Sequence, residues 1–164
     1  MVIRVFRSEM KFIMPYPDIQ DLCISAARYN RDADVTGFMI ECGGVFLQAV
    51  EGREEAVDTV LHRTRRDSRH HHIDHLLSID GAARRQFGAW AMNLMFLDDA
   101  RLWRRAVGPL KEYDDFLLRS RDPVFSLGLL SLAYRFACSA MEVDPAAVGL
   151  KRGRVPSAAQ MLKS

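Results

Sequence analysis

Gly43 and Gly44 stand between two apolar runs of strand length, Val35–Glu41 and Val45–Val50. A Gly-Gly link accepts the positive φ angles that a two-residue turn between twisted strands demands, so these runs read as a tight antiparallel hairpin. In the second run Phe46, Gln48 and Val50 share one face and Val45, Leu47 and Ala49 the other, because successive side chains of a strand alternate.

The flanks of this hairpin complete a pattern. Residues 2–8 read as a strand. Ile19, Leu22, Cys23, Ala26 and Ala27 recur at helical spacing over residues 19–29, with Pro17 pre-setting the first turn and Asp18 and Asp21 suiting its positive end. A second helix is expected over about residues 53–66, with Val57, Val60, Leu61 and Thr64 on one face, and two further strands over Ile73–Ile79 and Trp90–Leu97. The order β-α-β-β-α-β-β is the α+β, ferredoxin-like layout with an added strand, two helices lying on one face of the sheet. The other face needs a cover, which residues 98–141 can supply. The chain therefore divides into a domain over 1–97 and a C-terminal helical extension and tail over 98–164. Asp122-Pro123 is a helix start, an N-cap followed by Pro at the first position. The helix after it is apolar almost all round and is expected to be buried on the sheet or in a partner. Gly108-Pro109 is expected to break the preceding helical stretch, and the tail from Leu150 to be loosely ordered.

The composition excludes several classes. A formal net charge of +2 is too small for nucleic-acid binding through a basic field. Arg4, Arg7, Glu9 and Lys11 interrupt any N-terminal leader. Ser126, Gly128, Ser131, Arg135 and Ser139 interrupt the longest apolar stretch, which argues against a membrane span. Three scattered cysteines, Cys23, Cys42 and Cys138, fit a reducing, cytoplasmic setting. No nucleophile–base pair, GxSxG or HExxH supports an enzyme.

Several residues carry chemistry. Gln48 is an amide on an apolar strand face and must find partners or cost roughly 1–3 kcal/mol; on strand pattern alone, a bond to a loop carbonyl is the commoner outcome. Asn30 reads as the end of the first helix, a left-handed cap, preceded by Tyr29. Arg69 and His70 follow the second helix. Trp90 and Met92 fall two apart on one strand face, a core position by default. His70, His71, His72 and His75 suggest a metal, but neighbours on a strand point to opposite faces and no cysteine or paired carboxylate completes a set, so no metal site is expected.

Four segments bear on function together: Val35-Thr36-Gly37, Phe46-Leu47-Gln48-Ala49-Val50-Glu51-Gly52, Asp67-Ser68-Arg69-His70 and Phe87-Gly88-Ala89-Trp90-Ala91-Met92. In this order and spacing they resemble the blue-light sensors using FAD, the BLUF family, over residues 1–97. The resemblance implies a bound flavin, FAD first and FMN or riboflavin as alternatives. It implies cofactor contacts from Tyr29, Asn30, Gln48, Arg69 and His70, and a photochemical relay through Gln48, Trp90 and Met92. The family's photoactive tyrosine falls on the first strand, where this chain has Phe6. Phenylalanine keeps the shape and loses the hydroxyl. The implied function is a flavin-binding sensor module with photochemistry weakened or lost; the alternative is a light-insensitive interaction module on the same fold that no longer binds flavin. Signal is expected to leave through the C-terminal helices to a protein partner, with a homo-oligomer expected.

Overall fold

In a computed structural model, residues 1–97 and 113–141 are described. The expected helix break at Gly108-Pro109 and the tail from Leu150 lie outside them. The elements are β1 (Val2–Met10), α1 (Tyr16–Asp32), β2 (Thr36–Cys42), β3 (Val45–Gly52), α2 (Glu54–Arg66), β4 (His70–Ile79), β5 (Leu94–Phe96), α3 (Tyr113–Arg119) and α4 (Pro123–Ala140). The strands form one sheet in the order β4-β1-β3-β2-β5, antiparallel except for the parallel β2–β5 edge pair. This is the expected ferredoxin-like α+β arrangement with one strand added.

Gly43 (φ 55°) and Gly44 (φ 88°) make the two-residue turn between β2 and β3, a conformation in which any side chain would be strained. The alternation of β3 then sorts the interior into two cores. Phe46 and Val50, with Phe6 of β1, pack against Ile19, Leu22, Cys23 and Ala27 of α1 and Val57, Val60 and Leu61 of α2. Leu47 and Ala49, with Ile3, Val5, Phe38 and Ile40, pack against Leu129, Leu130, Ala133, Tyr134 and Ala137 of α4. α4 begins as the Asp122-Pro123 pair requires: the Asp122 carboxylate accepts the Phe125 N–H at 2.6 Å. By length and composition α4 could cross a membrane, but its buried residues lie on the sheet.

Three local expectations are corrected. α1 runs on to Asp32, so Asn30 is inside the helix; the left-handed residue of the α1–β2 link is Asp34 (φ 53°). β4 begins at His70 rather than Ile73. The last strand shrinks to Leu94–Phe96, and residues 90–93 form a bulge: Gly37 N–H donates to Trp90 O at 3.1 Å and Met39 N–H to Asn93 O at 2.8 Å. Two steps along β2 thus oppose three along this segment. The extra residue breaks the period of two, so Trp90 and Met92 do not share a face. Trp90 joins the core under α4 and Met92 the core under α1 and α2.

Candidate functional site: a cavity between the two helices

α1 and α2 lie on the same face of the sheet and leave a cavity of ≈ 480 Å³ between them, within the range of small-molecule and cofactor sites. Its wall includes Tyr29, Asn30, Gln48, Arg69 and His70. All five sequence-predicted contact residues therefore converge, drawn from α1, β3, the α2–β4 link and the start of β4.

Gln48 is the floor. It sits on the central strand β3, is only 6% exposed, and its side-chain amide forms no hydrogen bond among the described residues. An amide so placed lines the cavity with no hydrogen-bond partner among the described residues, which suits the polar edge of a flat heteroaromatic ligand. Phe6 is its direct neighbour across the β1–β3 ladder and is itself buried in the same core. Asn30 is buried; its Nδ2 donates to Ala91 O at 2.9 Å, and its backbone O accepts the Val35 N–H at 2.8 Å. Asn30 thus ties α1 to the segment that carries Trp90 and Met92.

The remaining wall is more committed. The Arg63 guanidinium lies 4.0 Å from the Tyr29 ring centroid, a cation–π contact that covers one ring face. Arg69 grips Asp67 with Nε (2.9 Å) and Nη2 (2.5 Å), leaving Nη1 as its remaining guanidinium nitrogen for a ligand. Asp67 is held below the usual carboxylate range, chiefly by that hydrogen bond. His70 is buried, with Nδ1 3.0 Å from Ser8 Oγ and its ring 5.0 Å from Phe46.

Burial pushes the His70 imidazole below its ordinary 6.5. The neutral form therefore favours the fold. That contribution is fully present above the unfolded value and is lost as pH falls from about 6.5 toward the folded value. Thermal melting should accordingly drop as pH falls below about 7, and His70→Gln should flatten that slope. A slope equal in both proteins would assign the acid sensitivity elsewhere.

Two residues across the sheet from the cavity escaped sequence reasoning. Glu51 continues the Leu47–Ala49 face and is fully buried; its carboxylate accepts the Thr36 hydroxyl (2.8 Å) and the N–H groups of Gln86 (2.7 Å) and Phe87 (2.8 Å). Burial raises its pKa and these donors oppose the shift. Glu51 thereby clamps the segment leading to Trp90, and a charged residue on an otherwise apolar strand face was the available signal. Tyr134 of α4 meets Phe38, Phe87 and Trp90 edge-on at 5.8, 5.4 and 5.5 Å, and its hydroxyl accepts the Ala89 N–H at 3.0 Å. No local sequence signal marks it.

Gly37 has to be glycine. A Cβ there would lie 2.5 Å from Ala49 O and 3.1 Å from the Met92 methyl. Its absence lets Met92 press against β2 on the cavity side of the sheet, while Trp90 turns to α4.

Comparison with known proteins bears on the fold and the family. The chain is 36% identical over 101 residues to the blue light- and temperature-regulated antirepressor BluF of Escherichia coli K12, an alignment covering 62% of this chain and 24% of that protein. The chain thus spans about a quarter of that curated relative's length. Among solved structures, the dark state of BlrB, a BLUF protein, superposes with TM-score 0.68 at 22% identity, covering 82% of this chain and 96% of that one. The BlsA ground state superposes with TM-score 0.58 at 17% identity, covering 99% of each. At these identities the structures establish the shared fold. Residues 1–93 match the family described as sensors of blue-light using FAD. With that match over more than half its length, the chain belongs to the BLUF family.

Proposed function

We propose that this protein holds a flavin, FAD foremost, between α1 and α2 and serves as a signalling module whose light response is weakened or lost at Phe6. The observation that carries the reading is the Gln48 amide, without a side-chain partner among the described residues, in the cavity floor beside Phe6. Bound flavin supplies the absorption of blue light. Gln48 and the Asn30 amide orient its polar edge, and Tyr29 and Arg63 close the rim. Arg69 and His70 face its carbonyl, ribityl or phosphate groups.

The output route in this reading is mechanical. A change of hydrogen bonding at Gln48 reaches Asn30, then Ala91, then the bulge carrying Trp90 and Met92. Trp90 leans on Tyr134, so α4 feels it. Trp90 thus acts across the sheet, away from the flavin, and Met92 stands on the flavin side. Residues 1–97 form the sensor and 98–164 the output extension. Exposed Leu118 and Val124 on α3 and α4 offer apolar contact to a protein partner or a second copy of the chain, in the cytoplasm. The module itself does no chemistry on a substrate.

A second reading, an interaction module without flavin, is favoured by Arg63 on Tyr29 and Asp67 on Arg69, which already occupy groups that a ligand would use. Protein purified from a flavin-replete host separates the two. A yellow protein that releases FAD on heating supports the first, and a colourless protein that takes up no added FAD overturns it. In the yellow protein Gln48→Leu should move the flavin absorption band. Asn30→Ala should lower affinity by about 1 kcal/mol, roughly fivefold. Unchanged spectra and affinity in both variants would place the flavin elsewhere.

A further inference from the structure

The histidine run does something that strand alternation forbids. His72 has φ 45°, and the β1–β4 register slips between Arg7 and Glu9. This bulge turns His71 and His72 to the same side, where their rings stack at 4.3 Å and 20°. Both approach one carboxylate oxygen: Glu9 Oε2 lies 3.0 Å from His72 Nδ1 and 3.8 Å from His71 Nε2. We propose that Glu9, His71 and His72 form a binding site for a divalent transition metal ion of the zinc class.

The ligand atoms lie within 4.8 Å of one another. A zinc ion with bonds of about 2.0–2.1 Å holds tetrahedral ligands about 3.4 Å apart, and the two observed separations bracket that value. Small rotations of two solvent-accessible rings close the set. The carboxylate is already aimed. Buried Arg7 holds Glu9 Oε1 at 2.7 Å while its own Nε donates to Ser120 Oγ at 3.2 Å, and Arg121 approaches the same Oε1 at 3.7 Å. Oε2 is left to face the imidazoles. Partners that orient a ligand in this way are the usual support of a metal site. Two imidazoles and one carboxylate select zinc, copper or nickel over magnesium or calcium. The exposure of His72, 70%, leaves the fourth position to water or an incoming ligand. The neighbouring guanidiniums repel a dication, so the affinity is moderate, with Kd on the order of micromolar.

The test uses full-length, untagged, chelator-treated protein titrated with Zn2+ in a calorimeter. One ion per chain is expected. His71→Ala and His72→Gly should each weaken binding by about tenfold or more; glycine suits the left-handed backbone at 72 and removes only the ligand. His75→Ala and Cys42→Ser should bind as the native chain does. Melting curves in chelator, equal for native and variant proteins, show that the fold survives. Zn2+ should raise the native melting temperature and leave His71→Ala unmoved. No saturable binding, or binding that persists in both histidine variants, or binding lost in Cys42→Ser alone, overturns the proposal.

Discussion

Under blue light the native protein, with flavin bound, should show no small, long-lived red shift of the flavin band, and Phe6→Tyr should gain one. Phe6 stands opposite Gln48 on the β1–β3 ladder and is 1% exposed. A tyrosine there would place a hydroxyl within the same core as the Gln48 amide. That amide lacks a side-chain partner among the described residues, so it can meet the new hydroxyl and offset its burial. Without such a partner the added hydroxyl would cost roughly 1–3 kcal/mol. Two measurements check this: difference spectra after illumination, with recovery in the dark, and the melting temperature of Phe6→Tyr against native. A reversible red shift in the native protein would show that switching proceeds without the hydroxyl. Absence of any shift in flavin-loaded Phe6→Tyr would show that more of the pocket than one residue has changed.

Removal of everything after Leu97 should leave an aggregating protein. That cut uncovers the sheet face made by Ile3, Val5, Phe38, Ile40, Leu47 and Ala49, now covered by Leu129, Leu130, Ala133 and Tyr134. Each large apolar side chain returned to water loses about 1.5–3 kcal/mol, and the exposed face would exceed the apolar patches that soluble monomers tolerate. The loss rivals the whole stability of a domain, about 5–15 kcal/mol. A graded version is Leu130→Ala, which removes a fully buried contact and should cost about 2–5 kcal/mol. Denaturant unfolding of the variant and light scattering of the truncation measure the two. A soluble, monomeric truncation as stable as the full chain would mean that α4 is an accessory and not a wall of the core.

Both predictions bear on the output route proposed above. The contacts from Asn30 through Ala91 to Trp90 and Tyr134 cross the sheet beside β2, at the β5 edge. Glu51 clamps the same segment through Gln86 and Phe87. Arg7, anchored at Ser120, joins the opposite end of the sheet to the turn between α3 and α4. These polar ties add to the apolar packing of α4 along the sheet.

Local rules made much of this legible in the amino-acid order. A period of two along β3 separated Gln48 from Leu47 and so divided the two cores; Gly43-Gly44 specified the turn; Asp122-Pro123 specified where α4 starts. Each depends on residues within a few positions of one another, where backbone sterics and side-chain direction suffice. The convergence of Tyr29, Asn30, Gln48, Arg69 and His70 was legible through family resemblance, since periodicity alone left Gln48 and Asn30 with ordinary structural roles. Only the tertiary structure decided the rest. One inserted residue at 90–93 sent Trp90 and Met92 to opposite faces, and one left-handed residue at His72 brought two histidines to Glu9. A periodic rule fails wholly at a single bulge, and bulges form where distant backbone dictates them. Partners such as Arg7 and Ser120, or Ala89 and Tyr134, are brought together by packing across the sheet. Their contact energy exists only once the fold has closed the chain between them.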